Sequence, residues 1–394
     1  MKLHVARHRD PRVAIVSDTV DDVNGVALGL RRLVAAATRA GHGATLVGPA
    51  AGPGGTTPGD PVIRVPAAMR ATLPFYAEMT WSVPELPALV THFAKHADLV
   101  QLATPGPMGI AGLIAGRMAG LPVIAQYHTE VAEYAARMTG LPFLRDLVQP
   151  LVGWFYQQVD LCLAPSAAVE SRLAAIGVAP ERIVRVARGV DLELFHPAKR
   201  VRCALGKYGI TSEPVALYVG RLSREKNLDA LQAAWARVVA VRPDARLLVV
   251  GEGPYASGLG GPGVIHAGSL YGEELATVFA SADVFAFPSE TETFGNVVVE
   301  AAASGLPAVV ARAGASHEHV IDGVTGDVID PGNAATFAAA MLAAFDAPDR
   351  RARMARAARE HALQYDLARA VQATWSIYRE VLAPAAASAR MAAS

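Results

Sequence analysis

Two carboxylates with seven residues between them make the segment 289–300, SETETFGNVVVE, the strongest candidate for chemistry. A strand is expected to end at Phe287 and a helix to begin near Gly295, so Glu292 lies in the turn and Glu300 inside the helix. A carboxylate can accept hydrogen bonds from two neighbouring hydroxyl groups, as on a ribose or a hexose. The first N–H groups of such a helix attract an anion. Equally, Glu292 could do no more than favour the positive end of the helix dipole.

A basic loop, GRLSREKN at 220–227, connects another expected strand to its helix. Its position at a strand-to-helix turn lets Arg221 and Lys226 reach a ligand in the crevice of the sheet. Two fixed cations there could stabilise a leaving diphosphate without a metal. An isolated pair with this spacing would more often be a solvated loop.

Two further candidates lie in the first half of the chain. Gly25 follows Asn24 at the first strand-to-helix turn and could let a phosphate or an acceptor approach the helix start, or serve only as a tight turn. His128 follows the apolar run VIAQY, which places an imidazole at the carboxyl end of a strand. A lone histidine is usually structural, but this position makes a functional role equally plausible.

Three acids in the first loop, Asp18, Asp21 and Asp22, could suggest a metal site. No complementary histidine or carboxylate motif points to the same place, so we expect no metal there. The cysteines, Cys162 and Cys203, are too few for a disulfide framework and have no zinc-like spacing with histidine.

The elements that must position these residues alternate between short apolar runs and helical patterns, an order typical of parallel sheets with crossover helices. Strands of a first sheet are predicted at 12–17, 44–47, 98–102, 123–127, 161–164 and 183–186. Strands of a second sheet are predicted at 215–220, 246–250, 264–267, 284–287 and 308–311. Helices are predicted over 26–39, 228–241 and 368–381.

The predicted fold class is therefore α/β, with two Rossmann-like doubly wound parallel-sheet domains facing each other across a cleft. The predicted limits are an N-terminal domain at 1–190, a C-terminal domain at 191–367, a helix at 368–382 and a flexible tail at 383–394. A stripe of Trp375, Tyr378 and Val381 suits packing of that last helix on a domain.

Composition excludes several classes of protein. The 394 residues contain 36 Lys and Arg and 36 Asp and Glu, and this balance disfavours a nucleic-acid partner. The first ten residues do not resemble a signal peptide and no apolar run could span a bilayer, so we expect a cytoplasmic protein.

The mixture LPFLRDLVQPLVGWFY at 141–156 suits either peripheral contact with the inner face of a membrane or a helix hairpin packed on the domain, and we favour packing.

Taken together, the motifs resemble the family 4 glycosyltransferases of GT-B fold, especially bacterial mannosyltransferase-like members. Four features carry the resemblance in the order of the family: VNGV at 23–26, GVDLELFHP at 189–197, GRLSREKN at 220–227 and ETFGNVVVE at 292–300. Two departures are Arg188, where an asparagine commonly precedes Gly-Val-Asp, and Asn24, which replaces the first glycine of a Gly-Gly loop.

The resemblance implies a retaining transfer of a hexose from a nucleotide-diphosphate sugar, with no cofactor and no metal. GDP-mannose is favoured over a UDP-hexose as the donor, and the acceptor is a hydroxyl group, which in the members that this chain resembles belongs to a lipid or a lipid-linked glycan. The resemblance also implies an N-terminal acceptor domain, a C-terminal nucleotide-sugar donor domain, and packing of the helix at 368–382 back on the N-terminal domain. The implied catalytic residues are His128, Glu292, Arg221 and Lys226. The implied substrate-binding residues are Asn24, Gly25, Arg221, Lys226, Phe294, Gly295, Asn296 and Glu300. In this assignment Glu292 contacts the transferred sugar, and Glu300 contacts the ribose.

Alternative functions stay open on the residues alone. A nucleotide-sugar epimerase would use a similar architecture without a separate acceptor, and a non-catalytic module would bind the sugar nucleotide without turnover. An NAD-dependent oxidoreductase is disfavoured because neither first strand is followed by GxGxxG. A phosphorylase with a pyridoxal Schiff base needs a well-placed lysine, and lysines are few.

Overall fold

The computed structural model describes residues 10–21, 25–50, 62–73, 76–186 and 188–392. Within these ranges the chain forms two parallel sheets, each covered by helices, and one antiparallel hairpin. This arrangement confirms the predicted fold class of two Rossmann-like domains.

The N-terminal sheet has seven parallel strands in the order β3-β2-β1-β6-β7-β8-β9, and β4 and β5 form the separate hairpin. The strands are β1 Arg12–Val16, β2 Gly43–Pro49, β3 Val62–Val65, β4 Ala67–Leu73, β5 Tyr76–Pro84, β6 Leu99–Leu102, β7 Val123–Gln126, β8 Leu161–Ala164 and β9 Ile183–Arg185. The helices of this half are α1 Gly25–Arg39, α2 Leu86–His96, α3 Pro107–Met118, α4 Val131–Thr139, α5 Phe143–Gln157 and α6 Ala167–Ala175.

The C-terminal sheet has six parallel strands in the order β12-β11-β10-β13-β14-β15. They are β10 Val215–Val219, β11 Arg246–Val250, β12 Val264–Gly268, β13 Val284–Phe287, β14 Ala308–Ala311 and β15 Gly326–Ile329. The helices of this half are α7 Leu228–Val241, α8 Gly272–Ser281, α9 Asn296–Ala303, α10 Ala334–Asp346, α11 Pro348–Ala362 and α12 Leu367–Ala392.

The central strands form as predicted because their residues are apolar on both faces. Every residue of β10 (VALYV) and of β13 (VFAF) is buried, which is the pattern of a parallel strand covered by helices on both sides. Sequence analysis missed four strands, namely β3, β4, β5 and β15.

The last helix, α12, crosses back to the N-terminal sheet. Its crossing point is tight, because a Cβ on Gly189 would lie 2.4 Å from the Cα of Leu367. Further along, Trp375 and Tyr378 are fully buried in the N-terminal core, and Trp375 stacks on His42 with ring centroids 4.9 Å apart. The helix continues to residue 392, whereas the sequence predicted a flexible tail from residue 383. Burial of these large rings ties the two ends of the chain together.

Helix α5 shows two different faces. Val152, Phe155 and Tyr156 are buried in the N-terminal core, as the favoured interpretation of packing expected. The opposite face leaves four large apolar side chains exposed, at Phe143, Leu147, Leu151 and Trp154. No helix among the described residues is long and apolar enough to cross a membrane.

Candidate active site

A cleft lies between the two sheets, and residues of both domains and of α12 line it. Five of the predicted site residues are among those that line it, namely Gly25, His128, Phe294, Asn296 and Glu300. Asn24 falls outside the described residues. The remaining predicted residues, Glu292, Lys226, Gly295 and Arg221, belong to the two loops that adjoin this cleft in the C-terminal domain.

The position of these residues follows from the direction of the strands. Helix α1 begins at Gly25 beyond the carboxyl end of β1, and His128 comes two residues after the end of β7. The segment 289–295 follows β13 in the same way and leads into α9. In doubly wound sheets ligands bind at this edge, because the loops leave a crevice beyond the strand ends.

Glu292 is held by donors from its own domain. Lys226 Nζ lies 2.5 Å from Glu292 Oε1, and Ser289 Oγ donates to the same oxygen at 2.7 Å. Burial raises the pKa of Glu292, but the Lys226 charge and these hydrogen bonds outweigh it, so the pKa lies below its ordinary value. The side chain is therefore a carboxylate at neutral pH. An ammonium group has three donors, so Lys226 can contact a ligand while it holds Glu292.

Two glycines shape the turn that carries Glu292. Gly295 has a φ of 86°, and a Cβ there would meet Ser316 Oγ at 2.6 Å. Gly314 has a φ of 58°, and a Cβ there would lie 2.9 Å from the backbone nitrogen of Glu292. Both positions therefore combine a left-handed backbone with a close approach that only glycine allows. The prediction that a helix begins near Gly295 is confirmed, because α9 begins at the next residue.

Arg221 stands at the end of β10 on the same loop as Lys226. Its backbone carbonyl accepts a hydrogen bond from the hydroxyl of Tyr218 at 3.1 Å. Tyr218 is fully buried, and burial together with the nearby charge of Glu292 raises its pKa well above the ordinary value. The phenol thus stays neutral and fixes the start of this loop close to the Glu292 turn.

Glu300 is held from the other domain. Arg32 Nη1, on α1, donates to Glu300 Oε1 at 2.7 Å. The Glu300 side chain is 6% exposed and that of Arg32 is 42% exposed. Sequence analysis missed Arg32, because nothing in the pattern of α1 distinguishes it from the other arginines of that helix.

His128 is held by Arg188, which the sequence had marked only as a departure from the family pattern. Arg188 Nη2 lies 2.7 Å from His128 Nδ1. Burial, and then the charge of Arg188, lowers the pKa of His128 well below its ordinary value. Burial lowers the pKa of Arg188 to about 10, and the charge of Glu292 opposes that shift. At neutral pH the histidine is therefore neutral and the arginine is charged.

Hydrogen bonds between the domains close the structure around this site. Thr293 Oγ1 donates to the carbonyl of His128 at 2.8 Å, and Ser166 Oγ donates to the carbonyl of Thr293 at 2.8 Å. The carboxylate of Glu318 accepts from the first two N–H groups of α6, at 2.8 Å each. A carboxylate at a helix N-terminus is favoured by the helix dipole as well as by these bonds. The Glu292 turn is thus docked directly against the strand end that carries His128.

The acids of the first loop are engaged by protein donors. Asp18 Oδ1 accepts from the backbone nitrogen of Met108 at 2.8 Å, at the start of α3, and Asp18 Oδ2 accepts from Thr104 Oγ1 at 2.6 Å. Asp21 receives both Nη groups of Arg64 at 2.6 Å each. Asp22 lies outside the described residues. Asp18 therefore caps a helix, and Asp21 forms a surface ion pair.

Comparisons with known proteins agree with this architecture. The model of the family "Glycosyltransferase Family 4" matches residues 23–194, and that of "Glycosyl transferases group 1" matches residues 206–361. Among solved structures, HepE of Anabaena in complex with UDP-glucose gives a TM-score of 0.74 at 21% identity, covering 94% of this chain and 100% of that one. Sucrose-phosphate synthase of Thermosynechococcus elongatus gives a TM-score of 0.76 at 22% identity, covering 95% and 100%. The fold and its interdomain cleft are those of a GT-B glycosyltransferase.

Curated relatives define the family further. A GDP-mannose-dependent alpha-mannosyltransferase of Mycobacterium tuberculosis is 33% identical over 82% of this chain and 84% of its own length. The GDP-mannose-dependent alpha-mannosyltransferase of Corynebacterium glutamicum is 34% identical over 82% of this chain and 77% of its own length. Sulfoquinovosyl transferase SQD2 of Arabidopsis thaliana is 32% identical over 77% of this chain, and the match spans 61% of the length of SQD2. The chain belongs to glycosyltransferase family 4 and is a glycosyltransferase.

Proposed function

We propose that the protein is a retaining mannosyltransferase that moves mannose from GDP-mannose to a hydroxyl acceptor. The observation that carries the proposal is the convergence of His128 and Glu300 on one interdomain cleft, beside the Lys226–Glu292 pair. The choice of GDP-mannose is supported by relatives of that name that are 32–34% identical over 81–82% of this chain. A UDP-hexose is the second candidate donor.

The proposed roles follow the charges in the site. Glu300 accepts hydrogen bonds from the ribose, and Glu292 accepts them from the transferred sugar. Lys226 and Arg221 hold the diphosphate, as do the N–H groups at the starts of α1 and α9. The planar fork of Arg221 suits two phosphate oxygens, which an ammonium group cannot hold in the same way. Asn24, Gly25, Phe294, Gly295 and Asn296 complete the proposed binding set.

The proposed reaction keeps the configuration of the anomeric carbon. The acceptor hydroxyl attacks this carbon on the face from which the nucleotide diphosphate leaves. The bond between the carbon and the phosphate oxygen breaks with its electron pair on the diphosphate, and a bond to the acceptor oxygen forms. The leaving phosphate takes the acceptor proton. Fixed positive charge near that phosphate stabilises the charge as it develops.

The donor is tested by thermal shift against GDP-mannose, UDP-glucose, UDP-galactose and UDP-glucuronate. A ligand of the native state at one hundred times its Kd stabilises that state by about 2.7 kcal/mol. We expect GDP-mannose to raise the Tm most, and radiolabelled mannose to appear in an acceptor fraction. A larger shift with a UDP-sugar would replace the proposed donor.

Transfer is separated from the alternatives by its dependence on an acceptor. An epimerase would convert the sugar nucleotide without an acceptor, and a binding module would raise the Tm without turnover. We expect free nucleotide diphosphate to accumulate in proportion to the acceptor added. Conversion of the sugar nucleotide into an isomer in the absence of acceptor would favour the epimerase.

We propose that no metal takes part in the transfer. The donors proposed to hold the leaving diphosphate are Arg221, Lys226 and the N-termini of α1 and α9, and such fixed donors can stabilise its charge without a metal. Activity should therefore persist in excess EDTA. Loss of activity in EDTA with recovery in manganese would refute this and direct attention back to Asp18, Asp21 and Asp22.

We propose a lipid-linked acceptor, reached by peripheral contact of α5 with the inner face of a membrane. The exposed side chains Phe143, Leu147, Leu151 and Trp154 lie on one face of the helix, at spacings of four, four and three residues. Tryptophan among aliphatic side chains suits the boundary between headgroups and acyl chains. Helix α5 packs against α4, and α4 begins three residues after His128, so α5 is one helix away from the strand end that carries His128.

A paired substitution tests the membrane contact. Leu147→Ser with Leu151→Ser should abolish sedimentation with anionic vesicles, whereas Val241→Ser, at an equally exposed position on α7, should leave it intact. Size-exclusion chromatography of the unchanged protein and both variants measures the oligomeric state, and so distinguishes a membrane-binding face from a dimer interface. The membrane contact is refuted if the unchanged protein does not bind vesicles. If that protein is also a dimer, and Leu147→Ser with Leu151→Ser dissociates it, the face contacts a second copy instead.

A further inference from the structure

The contact between Arg188 and His128 determines where the histidine carries its proton. A guanidinium group has only donors, so the nitrogen that it contacts, His128 Nδ1, must be an acceptor. A neutral imidazole with an acceptor at Nδ1 carries its hydrogen on Nε2. The structure therefore selects one of the two neutral tautomers through a residue 60 positions further along the chain.

The selected hydrogen has no partner in the described part of the protein. His128 Nε2 is buried and makes no hydrogen bond within that part, and the same is true of Arg188 Nε. Both residues line the cleft. A buried donor without a partner destabilises the fold, so a site that keeps two of them is built for a ligand that accepts from them.

Arg188 itself is fixed on two further sides. Its guanidinium carbon lies 6.0 Å from the ring centre of Phe294, within the range of a cation–π contact. Its charge also interacts with the carboxylate of Glu292. The arginine is thus held by residues of both domains, and these contacts fix the orientation of its guanidinium group towards His128.

We propose that Arg188 is a positioning residue that locks His128 as the Nε2–H tautomer, so that this N–H donates to a hydroxyl oxygen of the bound sugar. The second half of this statement rests on the proposed function. Without the Arg188 guanidinium, His128 can carry its hydrogen on either ring nitrogen, and only the Nε2–H tautomer makes the contact with the sugar. Turnover then falls without a matching loss of donor binding.

The tautomer is measured directly by NMR on the full chain labelled with ¹⁵N-histidine at pH 7.5, where the ring nitrogens of the two tautomers differ in chemical shift. The His128 signals are assigned by their absence in His128→Gln. We expect Nε2–H in the unchanged protein. Arg188→Met, which keeps the length but has no donor, should give a mixture or the Nδ1–H form, and Arg188→Lys, which has only donors, should keep more of the Nε2–H form.

Kinetics separate positioning from a structural role. Arg188→Met should lower kcat about tenfold or more, while the Kd of the donor changes less than about threefold. The glutamine of His128→Gln can present an amide N–H in place of Nε2, but it has no tautomers. If Arg188 acts through His128, adding Arg188→Met to His128→Gln should cost less than about threefold in kcat. Melting temperatures of all variants show whether they fold.

Each result decides the matter. Nδ1–H at His128 in the unchanged protein, or a tautomer that Arg188→Met leaves unchanged, would overturn the proposal. So would an equal loss of kcat from Arg188→Met in both backgrounds, which would assign Arg188 a role independent of His128. If no sugar nucleotide is turned over, the proposed function fails, and the NMR result still decides the tautomer assignment by itself.

Discussion

Glu292 and Glu300 belong to one twelve-residue segment, and each is paired with a cation, yet the two ion pairs join different parts of the molecule. Lys226 and Glu292 both belong to the C-terminal domain, and their side chains are 21% and 16% exposed. Arg32 reaches Glu300 from the N-terminal domain and is 42% exposed itself. The first pair can form without the other domain, whereas the second exists only when the domains meet. The first is therefore a fixed part of the site, and the second is the pair that the proposed contact of Glu300 with the ribose would have to replace.

The largest effect is expected for Lys226→Ala. The change removes a cation proposed to hold the diphosphate and leaves the largely buried Glu292 carboxylate without its main partner. Turnover should fall on the order of a hundredfold, as for the loss of one oxyanion donor. Steady-state kcat measures this. Lys207→Ala, which breaks an exposed pair with Glu274, is the matched control and should change kcat little. Equal effects of the two variants would refute the special role of the fixed pair.

Next in size is Glu292→Ala. If its contact with the sugar strengthens as charge develops, the loss should be mainly in kcat, by roughly tenfold to a hundredfold. The ratio of the change in kcat to the change in donor KM is the measurement. A rise in KM with an unchanged kcat would assign Glu292 to ground-state binding instead.

Glu300→Ala should act mainly on donor binding. The proposed ribose contact would be the same in the ground state and in the transition state, so its loss should raise KM and leave kcat nearly constant. A rise of about tenfold in donor KM corresponds to roughly 1.4 kcal/mol. If Glu292→Ala and Glu300→Ala gave the same pattern of kcat and KM, the difference between the two pairs would disappear.

The smallest effect is expected for Arg32→Met. If Glu300 binds the ribose as proposed, the donor must displace Arg32 from it, so removal of the arginine should let the donor bind slightly more tightly. The Arg32 side of the pair is 42% exposed, and ion pairs open to solvent contribute about 0.2–1 kcal/mol, which limits the gain to about fivefold. Titration calorimetry with the donor measures it, and Arg39→Met on the same helix is the control. Binding weakened more than about tenfold would instead put Arg32 in direct contact with the donor.

Much of the fold could be predicted from the sequence, because it depends on local patterns. The runs that form β10 and β13 are apolar throughout, so a covered parallel strand follows from their composition. The strand, turn and helix around Glu292 were predicted from Pro288, Gly295 and the apolar run after it. The strands β3 to β5 were missed: β3 is a four-residue edge strand with Arg64 in it, and β4 and β5 lack the apolar runs that marked the others.

The partners of the site residues could not be predicted in the same way. The two arginines that hold Glu300 and His128 are 268 and 60 positions away in the chain, and each is one of many arginines. An unusual residue before Gly-Val-Asp marked Arg188 as a departure, but the sequence did not indicate what it contacts. Lys226 was predicted to face the diphosphate, and its pairing with Glu292 emerged only from the structure.

The sequence by itself determined the class of fold, the family and the order of the motifs along the chain, because hydrophobic periodicity and turn residues act over short distances. Only the tertiary structure decided which cation meets which carboxylate, which nitrogen of His128 carries the proton, and that Trp375 closes the N-terminal core. These features depend on two domains and a returning helix meeting at particular places. Such long-range contacts are fixed by packing of the whole chain and not by the residues adjacent to them.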